Sequence, residues 1–416
     1  MNVLMLGNGF DLNYGLATKY INFLNTVNFV SGKHMTNKLQ QNCTVGQIFG
    51  HSVLQKTDKE IADSYQKYAE VYDSIAVDSG IVDQLKNCAD NFWFRYLFKS
   101  FNKDIGWIDF EREISTVLHS FQACLPSLGV RFGVKDIPND MIHRYVLTTF
   151  NFFYEKKSDA GISSTGRAVD SEYSVKKEFM LEYPLGSKNR VINKEKIIET
   201  LERALLELAE GLQVYLQCFV ENVVVELCKQ GLVKPMAALT NAKHIVTFNY
   251  TNTYEQIYRN GQVFHIHGKL QDRIILGVNP DDSDTLEHID TLFLPFKKYY
   301  QRVINRSDAE YIEWVSQKNS NVSLVVMGHS LDSTDKDIIM QMFDLAKDIT
   351  VLYYSESVEA SLVSNLVKIY GKEQFDELRM KKRLRFLPQN AHYDGFAEDR
   401  EKKEQEAMIR ALNNWR

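Results

Sequence analysis

Four short stretches of the sequence place glycine, amide, histidine or serine residues directly after a strand-like apolar run. In chain order they are GNGFD after Asn2–Leu6, TFNYTN around Asn249, HIHG around His267, and GHSLDSTD after Val322–Met327. Open α/β sheets bind ligands outside the carboxyl ends of their strands. We therefore expect these four stretches to converge at one edge of a parallel sheet and to form a ligand site there.

The opening turn, Gly7-Asn8-Gly9, could hold a diphosphate, because glycine has no Cβ to keep a phosphate away from the backbone N–H groups. The full dinucleotide fingerprint has a third glycine three residues after the second, where this chain has Leu12. Taken alone, the motif leaves a second interpretation open, in which the glycines only permit a tight turn from strand to helix.

Asn249 follows a predicted strand and comes too early to cap the next helix, whose cap we expect within Thr251–Thr253. In a strand, His265 and His267 would share one face. Two histidines could bind zinc, but no third ligand stands at a suitable spacing, and we predict no metal. The alternative is that His267 acts as a base beside Gly268, while His265 is satisfied in the core.

Gly328-His329-Ser330 resembles the start of a nucleophile elbow, which would make Ser330 the nucleophile of a serine hydrolase. Asp332 stands where that motif needs its second glycine. We therefore favour a role for Ser330 in binding a ribose hydroxyl or a phosphate, with Asp332, Ser333 or Asp335 beginning the next helix.

The candidate strands are short, apolar and rich in β-branched residues, as expected for a parallel sheet covered on both faces. They are Asn2–Leu6, His244–Phe248, Ile274–Val278, Val322–Met327 and Ile349–Tyr354, with Val263–Ile266 and Leu384–Leu387 as further candidates. Between the first and the second lies a long stretch of helical period. We predict an α/β nucleotide-binding domain from residues 1–30 and 241–416, and an inserted, mainly α-helical domain over residues 31–240.

An apolar stripe with heptad-like spacing runs from Ile198 to Phe219 in the predicted insert. We interpret it as a core stripe of a helical bundle, and a homo-oligomer formed through this domain is the alternative. Asp109 and Glu111 stand near another predicted helix start, where the helix dipole favours carboxylates. The sequence does not decide whether these two acids reach the site.

The composition limits the classes of partner. The 416 residues carry a formal net charge of -5, which argues against a nucleic-acid face. The five cysteines form no C-x-x-C pair, which favours a reducing, cytoplasmic location. No apolar run approaches the ~18 residues of a membrane span, so we predict no membrane partner.

Taken together and in order, GNGFDLNYGLATKY, FWFRYLF…WIDFE, TFNYTN, HIHG and GHSLDSTD resemble the AbiH family of bacterial abortive-infection proteins, which act in defence against phage. That family resembles the wider SIR2-like group of NAD-binding proteins. The resemblance implies a Rossmann-like (SIR2-like) parallel sheet with a large helical insert, NAD as substrate or ligand, and a phage-derived trigger as a partner.

The resemblance also implies roles for individual residues. Asn249 would hold the nicotinamide ribose and a water, and His267 would act as a base on a ribose hydroxyl. The NAD-binding positions would be Gly7, Asn8, Gly9, Phe10, Asp11, Thr247, Gly268, Gly328, Ser330 and Leu331. The zinc-binding cysteine pairs of the deacetylase branch are absent. This favours hydrolysis of NAD⁺ over deacetylation, with a non-catalytic nucleotide sensor as the alternative.

Overall fold

The computed structural model describes residues 1–32, 43–52, 59–101, 110–124, 149–150, 152–156, 172–181, 191–279, 291–317 and 321–389. Its centre is a six-stranded parallel sheet. The strands are β1 (Asn2–Leu6), β2 (His244–Thr247), β3 (Gln262–His265), β4 (Val322–Met327), β5 (Ala346–Tyr353) and β6 (Leu384–Pro388). Across the sheet they lie in the order β3-β2-β1-β4-β5-β6. This is a strand order of doubly wound α/β folds.

The sheet is buried on both faces, as its apolar strands predict. Every residue of β1 and of β4 is buried. Successive side chains of a strand point to opposite faces. Accordingly, Leu4 and Leu6 belong to one hydrophobic core, and Val3 and Met5 belong to another.

Helices surround the sheet. In the described residues the α-helices are α1 (Asn8–Asn13), α2 (Tyr20–Ser31), α3 (Val45–Ser52), α4 (Lys59–Lys67), α5 (Ala69–Ser74), α6 (Ser79–Cys88), α7 (Phe92–Phe101), α8 (Phe110–Cys124), α9 (Lys194–Leu216), α10 (Asn222–Lys229), α11 (Thr253–Tyr258), α12 (Lys298–Asn305), α13 (Ala309–Ser316), α14 (Lys336–Leu345) and α15 (Glu356–Met380). None of the helices in these residues is both long enough and apolar enough to cross a bilayer.

The two cores divide the helices between the two faces of the sheet. The larger core joins one face to α2, α3, α6, α7, α8 and α9. The smaller core joins the other face to α13, α14 and α15. The long helical stretch of the sequence therefore packs against one side of the sheet and shares its core.

The apolar stripe from Ile198 to Phe219 is buried within this chain, which confirms it as a core stripe. A π-helical turn at Gln217–Glu221 joins α9 to α10, so the two helices form one continuous rod. The stretch also contains short antiparallel strand pairs, formed by Cys43–Thr44 with Ala76–Val77, Phe153–Lys156 with Glu172–Val175, and Met180–Leu181 with Val191–Ile192.

One predicted strand, Ile274–Val278, was wrong. The segment is buried, but only Val278 makes a β-bridge, to Lys297. Its backbone is satisfied by loops instead, since the N–H of Ile275 donates to the carbonyl of His267 at 2.8 Å. A buried apolar run without a neighbouring strand in register does not become a strand, and its apolar pattern cannot reveal this difference.

Candidate functional site

The turns that follow β1 and β4 pack directly on each other. The N–H of Gly9 donates to the carbonyl of Gly328 at 2.8 Å, and the N–H of Gly7 donates to Met327 at 3.2 Å. A Cβ at Gly328 would lie 2.1 Å from the amide nitrogen of Phe10. Glycine is therefore required for this close approach. The contact lies between the first and fourth strands, where the strand order reverses, and such switch points are the ligand sites of doubly wound sheets.

Asn249 reaches the same place from the end of β2. Its side-chain amide donates to the carbonyl of Gly7 at 3.1 Å, and its backbone N–H donates to the hydroxyl of Thr247 at 3.1 Å. The structure thus brings three of the predicted site residues into direct contact. Asn249 is buried, with 8% of its surface exposed.

Asp11 forms a second link between these loops. Its Oδ2 accepts a hydrogen bond from the hydroxyl of Thr251 at 2.6 Å, and Thr253 donates in turn to Thr251 at 3.1 Å. The other carboxyl oxygen, Oδ1, is buried and has no hydrogen-bond partner. Burial raises the pKa of Asp11 to about 7, although the hydrogen bonds from the threonines oppose that shift.

His265 is held by two acceptors. Its Nδ1 lies 3.0 Å from the carbonyl oxygen of Asn249, and its Nε2 lies 2.7 Å from Oε1 of Glu255. A carbonyl oxygen can only accept, so Nδ1 must donate, and a further proton must lie between Nε2 and the carboxylate. The imidazole is therefore satisfied on both sides, and it fixes the backbone of Asn249.

His267 lies in a different environment, beside the buried carboxylate of Asp335. Its Nε2 is 3.1 Å from Oδ1 of Asp335, but the alignment is too poor for a hydrogen bond, and this nitrogen has no other partner. Phe248 packs edge-to-face on the ring, with centroids 5.3 Å apart. On the other side of Asp335, Nε2 of His329 lies 3.5 Å from Oδ2.

A buried lysine completes this group. Nζ of Lys298 lies 3.0 Å from Oδ1 of Asp335 and 2.7 Å from Oε1 of Glu111, a residue in the first turn of α8. The side chain of Lys298 is 1% exposed. We call His267, His329, Asp335, Lys298 and Glu111 the buried charge cluster. Glu111 therefore reaches the sheet edge, whereas Asp109 lies outside the described residues.

The charges of the cluster control one another. Burial is the largest influence on the pKa of Asp335 and pushes it upward, but the ammonium of Lys298 together with His267 and His329 outweighs burial and holds that pKa well below its usual range. Burial also opposes the charge of Lys298, and there the two carboxylates prevail and raise its pKa. Burial, reinforced by Lys298 and opposed by Asp335, lowers the pKa of His267 to about 4. His267 is thus neutral at pH 7, the form that can accept a proton.

Several predicted site residues lie elsewhere. The side chains of Phe10 and Leu331 are buried in the two hydrophobic cores. Those of Asn8 and Ser330 are exposed on the packed turns. At Ser330 the carbonyl accepts a hydrogen bond from Asn365 at 3.0 Å, and the positive φ angles of this turn fall on Gly328 and Leu331. Ser330 therefore does not occupy the strained position of a nucleophile elbow.

Gly268 serves the turn that follows β3. Its φ is +76°, and a Cβ there would meet the carbonyl oxygen of Arg273 at 2.2 Å. The helix-start predictions are resolved as well, since the side chain of Asp332 accepts from the N–H of Thr334 at 3.1 Å. Asn252 precedes α11 without a side-chain cap. Asp332 caps the short 3₁₀ turn Ser333–Asp335, and Asp335 precedes α14 without a side-chain cap hydrogen bond, so its carboxylate is available to the cluster.

Sequence reasoning missed Lys298 and His329 and assigned Asp335 only to a helix start. Lys298 follows a buried apolar segment in a lysine pair, Lys297-Lys298, and nothing local distinguishes its side chain from a solvated one. His329 could have been found, because it follows β4 directly. In the described part of the chain, no group of three or more histidine, cysteine or acidic side chains is arranged to hold a metal ion.

The strand order and the polar groups at the carboxyl edge define a doubly wound α/β protein with a candidate ligand site at its switch point. The family model described as "Bacteriophage abortive infection AbiH" matches residues 3–354. The chain therefore belongs to the AbiH family, and this membership implies a role in abortive infection by phage. No match was found among curated proteins or among solved structures.

Proposed function

We propose that this AbiH protein hydrolyses NAD⁺ to nicotinamide and ADP-ribose at the carboxyl edge of its sheet, through a Rossmann-like site of the SIR2 type. The observation that carries the proposal is that Asn249 donates to the carbonyl of Gly7 at the end of the parallel strands, and that Gly7 packs on His329 of the buried charge cluster. The amide and the neutral imidazole that the reaction needs both stand on loops of that edge.

The chemistry suits these groups. The nicotinamide of NAD⁺ is already cationic and leaves without a strong general acid, through an oxocarbenium-like state. The protein must position the ribose, deprotonate a hydroxyl or a water, and stabilise developing positive charge. In the proposal, Asn249 orients the ribose. His267 accepts the proton, and Asp335 stabilises the imidazolium that results.

The packed turns bear on how the diphosphate would be held. The N–H groups of Gly7 and Gly9 are engaged by the carbonyls of Met327 and Gly328, so these two amides are not available in this conformation. Asn8 and Ser330 are exposed on the same two turns. We infer that the side chains of Asn8 and Ser330, rather than the glycine amides, would contact the phosphates.

Burial of the reacting groups implies a closed form. His267 is 5% exposed and Asn249 is 8% exposed, so neither side chain is open to a ribose in this conformation. Turnover then requires the turns or the neighbouring loops to separate, and an infection-derived trigger is the natural agent for that step. A resting form without NAD⁺ hydrolysis also spares the uninfected cell.

The test is chromatography of NAD⁺ incubated with the protein, alone and with lysate of phage-infected cells. We expect nicotinamide and ADP-ribose from the unaltered protein, and loss of both products with Asn249→Ala or His267→Ala. Asn28→Ala and His51→Ala, substitutions on α2 and α3, serve as matched controls and should keep full activity. Protection against phage with NAD⁺ unchanged in the infected cells would contradict the proposal.

The closed burial of Asn249 and His267 also fits a second candidate, a nucleotide sensor without turnover. A sensor would be stabilised by ADP-ribose or NAD⁺ without product formation, because a ligand that binds only the folded state raises its melting temperature. Ligand-induced stabilisation that persists in His267→Ala while no product forms in any condition would favour the sensor.

A further inference from the structure

A second candidate site lies in the helical part of the molecule. A cavity of about 880 Å³ opens between α6, the turn before α7, α9 and the start of α10. This volume falls in the range of roughly 300–1,000 Å³ that is typical of small-molecule sites. Ile81, Phe92, Val214 and Leu270 give the cavity an apolar lining.

The charged lining is mainly acidic. Glu207, Glu210 and Asp90 face a single cation, Arg203. Asp90 pairs with Arg95 at 3.0 Å, whereas neither glutamate forms an ion pair within the described residues. Cys88 lines the cavity, and burial, followed by the carboxylates of Glu207 and Glu210, raises the pKa of its thiol to about 11. The cavity is therefore a region of negative potential.

Carboxamides supply further polar groups. Gln84, Asn87 and Gln217 line the cavity, and their side chains make no hydrogen bond to another described residue. Gln213 is different, because its amide donates to the carbonyls of Leu270 and Asp272, at 2.7 Å for Asp272. Leu270 lines the cavity and lies three residues after His267, so the loop that follows the predicted base forms part of the cavity wall.

We propose that this cavity binds a small organic amine. The ammonium group would lie against Glu207 and Glu210, the hydrocarbon chain would cover the apolar lining, and the free carboxamides would take further amino or hydroxyl groups. An anionic nucleotide would meet repulsion here, so this site is separate from the one proposed for NAD⁺. The inference does not depend on NAD⁺ hydrolysis.

Calorimetric titration with spermidine tests the proposal, with 1,6-hexanediol as an uncharged probe of similar apolar length. We expect spermidine to bind one site and the diol not to bind. The double variant Glu207→Gln/Glu210→Gln should weaken spermidine binding at least about tenfold, because charge-assisted hydrogen bonds are lost. These glutamates are exposed, so the variant should fold, as a thermal melt will verify.

The matched control is Glu195→Gln/Glu199→Gln, which makes the same charge change on the same helix outside the cavity. It should bind spermidine as the unaltered protein does. Hydrogen exchange should show protection by spermidine at residues 81–91, 204–217 and 268–272. Equal loss of affinity in both double variants, or protection confined to other segments, would overturn the proposal. So would the absence of any binding.

Discussion

His265 and His267 stand two residues apart in one stretch, HIHG, yet the regions around them differ in hydrogen bonding and in charge. Around His265, both ring nitrogens face acceptors, the carbonyl of Asn249 and the carboxylate of Glu255. Around His267, the ring nitrogen Nε2 has no hydrogen bond, and its nearest polar neighbour is the carboxylate of Asp335. The ring nitrogens of His265 are both satisfied, whereas His267 retains an unused proton-accepting group.

This difference indicates that His265 stabilises the fold, whereas His267 is available for the proposed reaction. Buried polar groups in proteins are normally hydrogen-bonded, and an exception marks a place where stability has been given up. His265 stabilises the backbone that carries Asn249. Burial and a nearby lysine hold His267 neutral, which costs folding free energy only below about pH 6.5, where the unfolded chain binds a proton. Substitutions in the two regions should therefore separate stability from activity.

The largest effect is expected from Lys298→Met. The change leaves the carboxylate of Asp335 buried without its cation, and breaking such a pair costs about 3–5 kcal/mol. Urea unfolding will measure this loss. Lys381→Met is the matched control, because Lys381 pairs with Glu377 on the surface and its loss should change stability far less. A loss in Lys298→Met no larger than in the control would show that the cluster is not electrostatically coupled.

Lys298→Met also tests how strongly the ammonium of Lys298 lowers the pKa of His267. Removing the ammonium of Lys298 leaves burial and Arg302 as the influences that oppose Asp335, so the pKa of His267 should rise above its value of about 4. NMR titration of the imidazole will show the change, with His119→Gln used to assign one surface resonance. A His267 resonance that titrates at the same pH with and without Lys298 would contradict this account.

His265→Ala should mainly reduce the stability of the fold, whereas His267→Ala should mainly reduce activity. His265→Ala leaves the acceptors Asn249 and Glu255 without their donor, and we expect a loss of about 2–3 kcal/mol in the free energy of unfolding. His267→Ala removes an imidazole whose Nε2 makes no well-aligned hydrogen bond, so stability should fall less than in His265→Ala, while NAD⁺ hydrolysis should be lost. Equal loss of stability in both variants would remove the distinction between the two regions.

The pH dependence of stability is the next test. The pKa of Asp11 is about 7 in the folded state against 3.8 for the free group, so stability falls as pH rises from 3.8 to about 7, because the unfolded chain loses this proton while the folded protein keeps it. Asp11→Asn should therefore gain stability over the unaltered protein, by up to about 4 kcal/mol at pH 8 and little at pH 4. Urea unfolding across this range will measure the difference.

His267 acts in the opposite direction. Its folded pKa of about 4 lies below the free value of 6.5, so the unfolded chain binds a proton first and stability falls as pH drops from 6.5 to 4. In the unaltered protein Asp11 offsets this fall. Asp11→Asn should expose it as a steeper loss at acid pH, and His267→Gln should remove it. A pH profile unchanged by either substitution would refute both assignments.

Glu111→Gln should give the smallest effect. Lys298 keeps a hydrogen-bond acceptor at that position and its ion pair with Asp335, so we expect a loss of about 1 kcal/mol. Urea unfolding at pH 7 will measure it, beside Glu113→Gln in the same turn of α8 as the control. A larger loss than in Lys298→Met would place the centre of the cluster at Glu111 instead.

The sequence predicted the elements of the site better than their partners. Local apolar runs located all six strands of the sheet within a few residues, since a strand buried on both faces is apolar along its whole length. The same rule produced the wrong strand at Ile274–Val278, where the apolar run is real but no neighbouring strand pairs with it. Phe10 was predicted at a nucleotide-binding position, but its side chain is buried in the larger core. The sequence around a turn does not distinguish a residue that contacts a ligand from one that packs in the core.

The sequence by itself determined that polar residues follow β1, β2, β3 and β4, and that parallel strands would carry them to one edge. Only the tertiary structure decided which side chains meet there. Lys298 pairs with Asp335 across 37 residues of chain and with Glu111 across 187 residues, and such pairings depend on helix packing. A local pattern fixes where a residue points along its own element, but charge and hydrogen bonding depend on neighbours that the fold supplies.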